Sequence, residues 1–173
     1  MVGLILSLAL AQEPADVAVC DGPWPELEEA LSVAWVSPLR KTVRGRTWLT
    51  LVPTSELRSW AQREGQGSVG RMLQHLGMRK RSKEPRRRYK VVVFDVRAEN
   101  LCRPLGDREG GVASGGLGSC VESGTRLKED HDGCGRLVDT STGATTAVLR
   151  ARWDDVVRNG FCVLPAERFL IGR

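Results

Sequence analysis

A chain of 173 residues, 41% apolar and 27% charged, has material for one modest domain with an appendage or for two small ones, and it is too apolar to be disordered throughout. The formal net charge is +5, yet Arg79 to Lys90 alone holds eight cations against one acid, so the rest of the chain is slightly acidic and the basicity is a local device. The opening apolar run is well short of the roughly 20 residues that a membrane helix needs, and five irregularly spaced cysteines fit a disulfide framework poorly.

Residues 1–20 form an apolar N-terminal segment, MVGLILSLALAQ at its start, expected as a core element. The Ala9-Leu10-Ala11 triplet also suits a signal peptidase, although no basic residues precede the apolar run. Reduced thiols and a cytoplasmic location are the simpler expectation, with secretion as the alternative. After Asp21-Gly22-Pro23-Trp24-Pro25, the residues Leu27, Ala30, Leu31, Ala34 and Trp35 recur at helical spacing and predict a helix over Glu26 to Val36. Pro25 suits its first turn, and Glu26, Glu28 and Glu29 complement its dipole.

From Thr47 to Val96 the local signals agree with one another. Thr47 to Val52 is β-prone and ends at Pro53. Thr54 or Ser55 then caps a helix whose buried face is Leu57, Trp60 and Ala61, stopped by Gly65. Ser68 caps a second, short helix with Val69, Met72, Leu73 and Leu76 on its apolar side and Arg71, Gln74 and His75 on the other, and Gly77 ends it. The basic run follows, and then the β-branched segment Tyr89 to Val96.

Helix, tight turn, helix, basic loop and strand is the order of a winged helix, in which the second helix enters a major groove and the wing lies along the phosphates. Arg71, Gln74 and His75 carry the donor and acceptor types that read base edges. Arg79, Lys80, Arg81, Lys83, Arg86, Arg87, Arg88 and Lys90 are the expected phosphate contacts. The stretch PTSELRSWAQREGQGSVGRMLQHLGMRKRSKEPRRRYKVVVFDV resembles the winged-helix segment at the C-terminal end of phage and plasmid primase-helicase proteins. Those segments also pair a similar helix opening with a glycine-containing turn, a leucine-glycine stop and an arginine-rich wing. The winged-helix order and its basic wing make duplex DNA the expected partner. No Gly-x-x-x-x-Gly-Lys-Ser/Thr loop occurs in the chain, so helicase and ATPase activity do not carry over.

Other patterns carry less. Gly65-Gln66-Gly67-Ser68-Val69-Gly70 matches a dinucleotide fingerprint but follows a helix rather than a strand, so no cofactor is expected. Asp130 to Asp139 begins like a calcium loop but has Ser141 where the closing carboxylate belongs. His131 and Cys134, with Cys120 and Cys102 upstream, match no zinc-finger spacing, and no metal is expected. No nucleophile and base stand in a persuasive pair, so the expected mode of action is binding, not catalysis. Arg103 to Gly118 has almost no large apolar residue and reads as a linker. Over Thr145 to Leu164 the pattern predicts a helix and then a short strand.

The expected fold class is therefore α+β: an apolar segment at 1–20, a winged-helix-like domain at 21–100, a flexible linker at 101–120 and a small C-terminal α/β region at 121–173. The expected function is nucleic-acid binding in replication, transcriptional control or a mobile element. The alternative is an exported, non-enzymatic interaction protein whose basic run binds an anionic surface.

Overall fold

The computed structural model describes residues 30–64, 68–78, 88–104, 120, 129–132, 135–157 and 160–172. Within them the chain is mixed α+β. Strands β1 (Ala30–Pro38) and β2 (Trp48–Pro53) lead into helices α1 (Thr54–Arg63) and α2 (Val69–His75), and then strand β3 (Tyr89–Arg97) and a 3₁₀ turn at Ala98–Asn100. After these come β4 (Arg136–Val138), β5 (Thr145–Ala147), β6 (Leu149–Arg152), α3 (Trp153–Val157), β7 (Phe161–Pro165) and α4 (Ala166–Ile171). Five strands form one antiparallel sheet in the order β6-β2-β1-β3-β7, and β4 and β5 form a separate hairpin.

The expected helix over Glu26 to Val36 is instead β1 from Ala30 onward, and residues 26–29 lie outside the described set. The reason is burial on both faces. Ala34 and Val36 point to one core with Val52, Leu57, Trp60, Met72 and Val91, while Val33 and Trp35 point to a second with Leu49, Leu51, Val92, Phe94 and Val96. A central strand covered on both sides is apolar at every position, and its sequence cannot be told from a buried helix by periodicity. Each fully buried Leu, Val or Phe side chain contributes about 1.5–3 kcal/mol, which outweighs local helix preference.

The strand at 48–53, both helices and the strand at 89–97 agree with the sequence pattern. Ser68 caps α2 by accepting from the Arg71 N–H at 3.2 Å. At α1 the expected hydroxyl cap is absent: Pro53 occupies the N-cap position, and the Thr54 hydroxyl instead accepts from Ser32 Oγ at 3.2 Å. Gly77 ends α2 at φ +64, with backbone of Asp130 and Val138 so close that a Cβ would collide. That approach is sealed by an Asp130 N–H bond to the Gly77 carbonyl at 2.9 Å.

A helix-turn-helix arrangement is not evident. Both α1 and α2 pack against α4, and α2 lies against the β4–β5 hairpin, where the Thr140 N–H donates to the Gln74 carbonyl at 3.0 Å. The segment Thr145 to Leu164 opens as β5 and β6 where a helix is expected, and the helix is confined to α3 before the strand β7. β6 pairs with β2 and β7 with β3, so strands from the C-terminal region form both edges of the sheet.

The expectation of reduced thiols is also corrected. Cys102 and Cys120 form a disulfide with Cα atoms 5.1 Å apart, within ordinary bridging range. Cys102 is positioned by paired backbone bonds with Arg150 in β6, and Arg103, expected in a solvated linker, is buried at 1% exposure. Cys162 is a free, exposed thiol on β7.

Candidate functional site

The end of the sheet where β1 stops and β3 starts gathers cations from two segments far apart in sequence. Pairing of Pro38 with Tyr89 sets the register, and the Leu39 N–H donates to the Arg88 carbonyl at 2.8 Å. The β1–β2 loop carries Arg40, Lys41, Arg44 and Arg46, all exposed, without an acid between Leu39 and Thr47. Lys90 closes the junction: its Nζ donates to the Lys41 carbonyl at 3.2 Å and sits 5.9 Å from the centroid of the Trp35 ring. On the neighbouring strand pair, the Arg152 guanidinium lies 5.2 Å from the centroid of its ladder partner Trp48.

Of the predicted phosphate contacts, Arg88 and Lys90 are therefore placed at this end. Arg79, Lys80, Arg81, Lys83, Arg86 and Arg87 lie outside the described residues, as do Gly65, Gln66 and Gly67 of the glycine motif.

The three predicted base readers occupy a different place. His75 lines a cleft of about 720 Å³ between α1 and the β4–β5 hairpin, whose walls include Glu56, Trp60, Arg63, Asp139 and Thr146, and Arg71 and Gln74 sit beside it on α2. Arg71 is held by Gln74 Oε1 at 3.2 Å and by Ser141 Oγ, and it pairs with Glu64 at 3.7 Å and Asp139 at 3.8 Å. His75, read from the sequence as part of an open helix face, is only 7% exposed. Its ring stacks on Trp60 with centroids 4.6 Å apart and planes 11° from parallel. Its Nδ1 faces Asp139 Oδ2 at 3.4 Å, and its Nε2 meets Thr146 Oγ1 at 3.1 Å.

Electrostatics follow from that burial. Burial pushes His75 below its ordinary range, against the opposing pull of Asp139, so the ring is neutral at pH 7. Burial would raise Asp139, but the Ser141 hydroxyl and amide, the Thr142 amide and the Arg71 charge together hold it down to about 2. Glu56 is raised by burial, with the Ala147 N–H at 3.3 Å and Arg136 acting the other way.

No family model, curated protein or solved structure matches this chain. The functional reading therefore rests on the geometry.

Sequence reasoning passed over two groups. The loop cations Arg40, Lys41, Arg44 and Arg46 were visible as four positive charges without an acid, but spread among neutral residues they make no dense run. Asp139 and Thr146 stand far from His75 in sequence and meet it only because the hairpin folds onto α2. Among the described residues no group of His, Cys, Asp and Glu is arranged to hold a metal, and the soft ligands noted in the sequence are divided because Cys102 and Cys120 bond to each other. No described helix is long and apolar enough to cross a membrane.

Proposed function

We propose that the protein binds nucleic acid, duplex DNA first, through the basic end of its sheet, and that binding there requires no chemistry. The observation that carries this reading is the junction of the 39–47 loop with the start of β3, which puts Arg40, Lys41, Arg44, Arg46, Arg88 and Lys90 around one hydrogen-bonded corner. In sequence the run from Arg79 to Arg87 leads directly into Arg88. Cations so grouped displace condensed counterions from a phosphate backbone, which gives sequence-independent affinity.

The order β2, α1, α2, basic segment, β3 is that of a winged helix, and wing-like use of 79–90 along the phosphates belongs to this proposal. Base readout by Arg71, Gln74 and His75 does not, because the hairpin engages Arg71 and His75, Trp60 stacks on His75, and Gln74 Oε1 accepts from Arg71. A role in replication, transcriptional control or a mobile element is compatible with such binding.

The test is duplex binding by the full chain and by two alanine sets, R40A/K41A/R44A/R46A and R86A/R87A/R88A. Both sets weaken binding to all sequences alike, and combining them weakens it further. A loop set that binds like the parent would remove the two-segment interface.

The disulfide favours a second reading. Such bonds persist in oxidising compartments, which suits an exported interaction protein whose basic end binds an anionic surface. N-terminal sequencing of the mature protein decides it: cleavage after Ala11 supports export, and an intact Met1 opposes it.

A further inference from the structure

The cleft beside α2 holds chemistry that the basic end does not use. One side chain of α2 and two of the β4–β5 hairpin line up through one imidazole, that of His75: Thr146 Oγ1 on one ring nitrogen at 3.1 Å and Asp139 Oδ2 on the other at 3.4 Å. The imidazole is fixed in plane by its stack on Trp60. Asp139 is fixed in turn, since its other oxygen accepts from Ser141 N at 2.8 Å, Ser141 Oγ at 2.6 Å and Thr142 N at 3.1 Å. A hydroxyl on a base that is oriented by a buried carboxylate is the arrangement that activates an oxygen nucleophile.

We propose that Thr146, His75 and Asp139 act as nucleophile, base and orienting group in the hydrolysis of a small carboxylic ester bound in this cleft. The triad borders open space, because His75, Asp139 and Thr146 all line the same cleft of about 720 Å³. Ser55, Ser59, Thr142 and Thr145 line it too and give it hydroxyl walls, which suit a polar acyl group. His75 is kept neutral by burial, the state in which it accepts a proton.

The steps balance without a cofactor. Thr146 Oγ1 attacks the ester carbonyl carbon while His75 Nε2 takes the hydroxyl proton and Asp139 steadies the resulting imidazolium through Nδ1. The tetrahedral adduct collapses, the ester C–O bond breaks, and His75 returns the proton to the departing alcohol oxygen. Water then attacks the acyl-threonine carbonyl and gives its proton to His75. The carboxylic acid leaves, and Thr146 recovers its hydrogen. Glu56 is a positioning residue in this scheme, since its carboxylate accepts the Ala147 N–H and so fixes the strand directly after the nucleophile.

The experiment is hydrolysis of p-nitrophenyl acetate by the full chain, with acid quenching and peptide mass mapping for an acetyl adduct. The variants are Thr146→Val, which keeps the shape without the hydroxyl, Thr146→Ser, which keeps the hydroxyl, and His75→Gln, each checked for native near-ultraviolet circular dichroism. The expected result is an acetyl adduct on Thr146, a loss of about 100-fold or more in kcat/KM for T146V and H75Q, and retained turnover for T146S. Folded T146V that hydrolyses the ester as fast as the parent, a parent no faster than buffer, or an adduct only at Cys162 or lysine would overturn the proposal. None of these outcomes bears on binding at the basic end.

Discussion

The Leu39 N–H donates to the Arg88 carbonyl at 2.8 Å, and this backbone bond, with that of Lys90 Nζ to the Lys41 carbonyl, ties the two basic segments of the chain together. Leu39 also stands second in a turn closed by the Lys41 N–H to the Pro38 carbonyl at 3.0 Å, a position that proline tolerates. Replacing Leu39 by Pro therefore removes the donor with little other strain. We expect L39P to lose about 1 kcal/mol in urea unfolding and to weaken duplex binding, whereas L39A stays within about 0.5 kcal/mol of the parent because the side chain is exposed.

Among the described residues, His75, Asp139 and Glu56 are each expected to give stability a pH-dependent limb. The unfolded chain protonates a His near 6.5 before the buried His75 does, so stability falls as pH drops through that value, and H75Q flattens this limb. Asp139, held to about 2 against an ordinary 3.8, contributes stability that is complete above 3.8 and lost as pH falls toward 2, a limb that D139N abolishes. Glu56 works oppositely: its raised value means that its contribution is present below 4.5 and lost as pH rises through the folded value. E56Q is then more stable than the parent at pH 7 and converges with it in acid. Urea midpoints measured across pH separate the three.

Core substitutions distinguish full from partial burial on the two helices. Leu57 of α1 is fully buried, and L57A is expected to cost about 3 kcal/mol. Leu73 of α2 only borders that core, so L73A costs less, about 1–2 kcal/mol. Equal losses in denaturant titration would contradict the packing described.

The Cys102 to Cys120 bridge closes a loop between residues 18 apart. Its removal in C102S/C120S releases about 3 kcal/mol of loop-closure constraint from the unfolded chain, read as a lower melting temperature and reproduced in the parent by reductant. A parent indifferent to reductant would show that the bridge does not form.

These sites mark what the sequence discloses. Ser68 as a cap, Gly77 as a stop and the β-branched run before Val96 are local signals, and local structure follows them. β1 was hidden because burial on both faces erases the alternation that names a strand. His75 was misplaced because helix spacing gives a direction but not what arrives there, and the hairpin carrying Asp139 and Thr146 comes from a remote part of the chain. The basic run was legible as charge, while its partner loop at Arg40 to Arg46 became visible only through the register of β1 with β3.

The most direct measurement of the central claim is fluorescence anisotropy of a labelled random-sequence duplex titrated with the full chain across a salt series. The account predicts micromolar affinity at low salt and a steep log-log salt dependence. That slope falls by up to about three units in R86A/R87A/R88A and by up to about four in R40A/K41A/R44A/R46A. An absence of binding at low salt, or slopes unchanged in both variants, would contradict it.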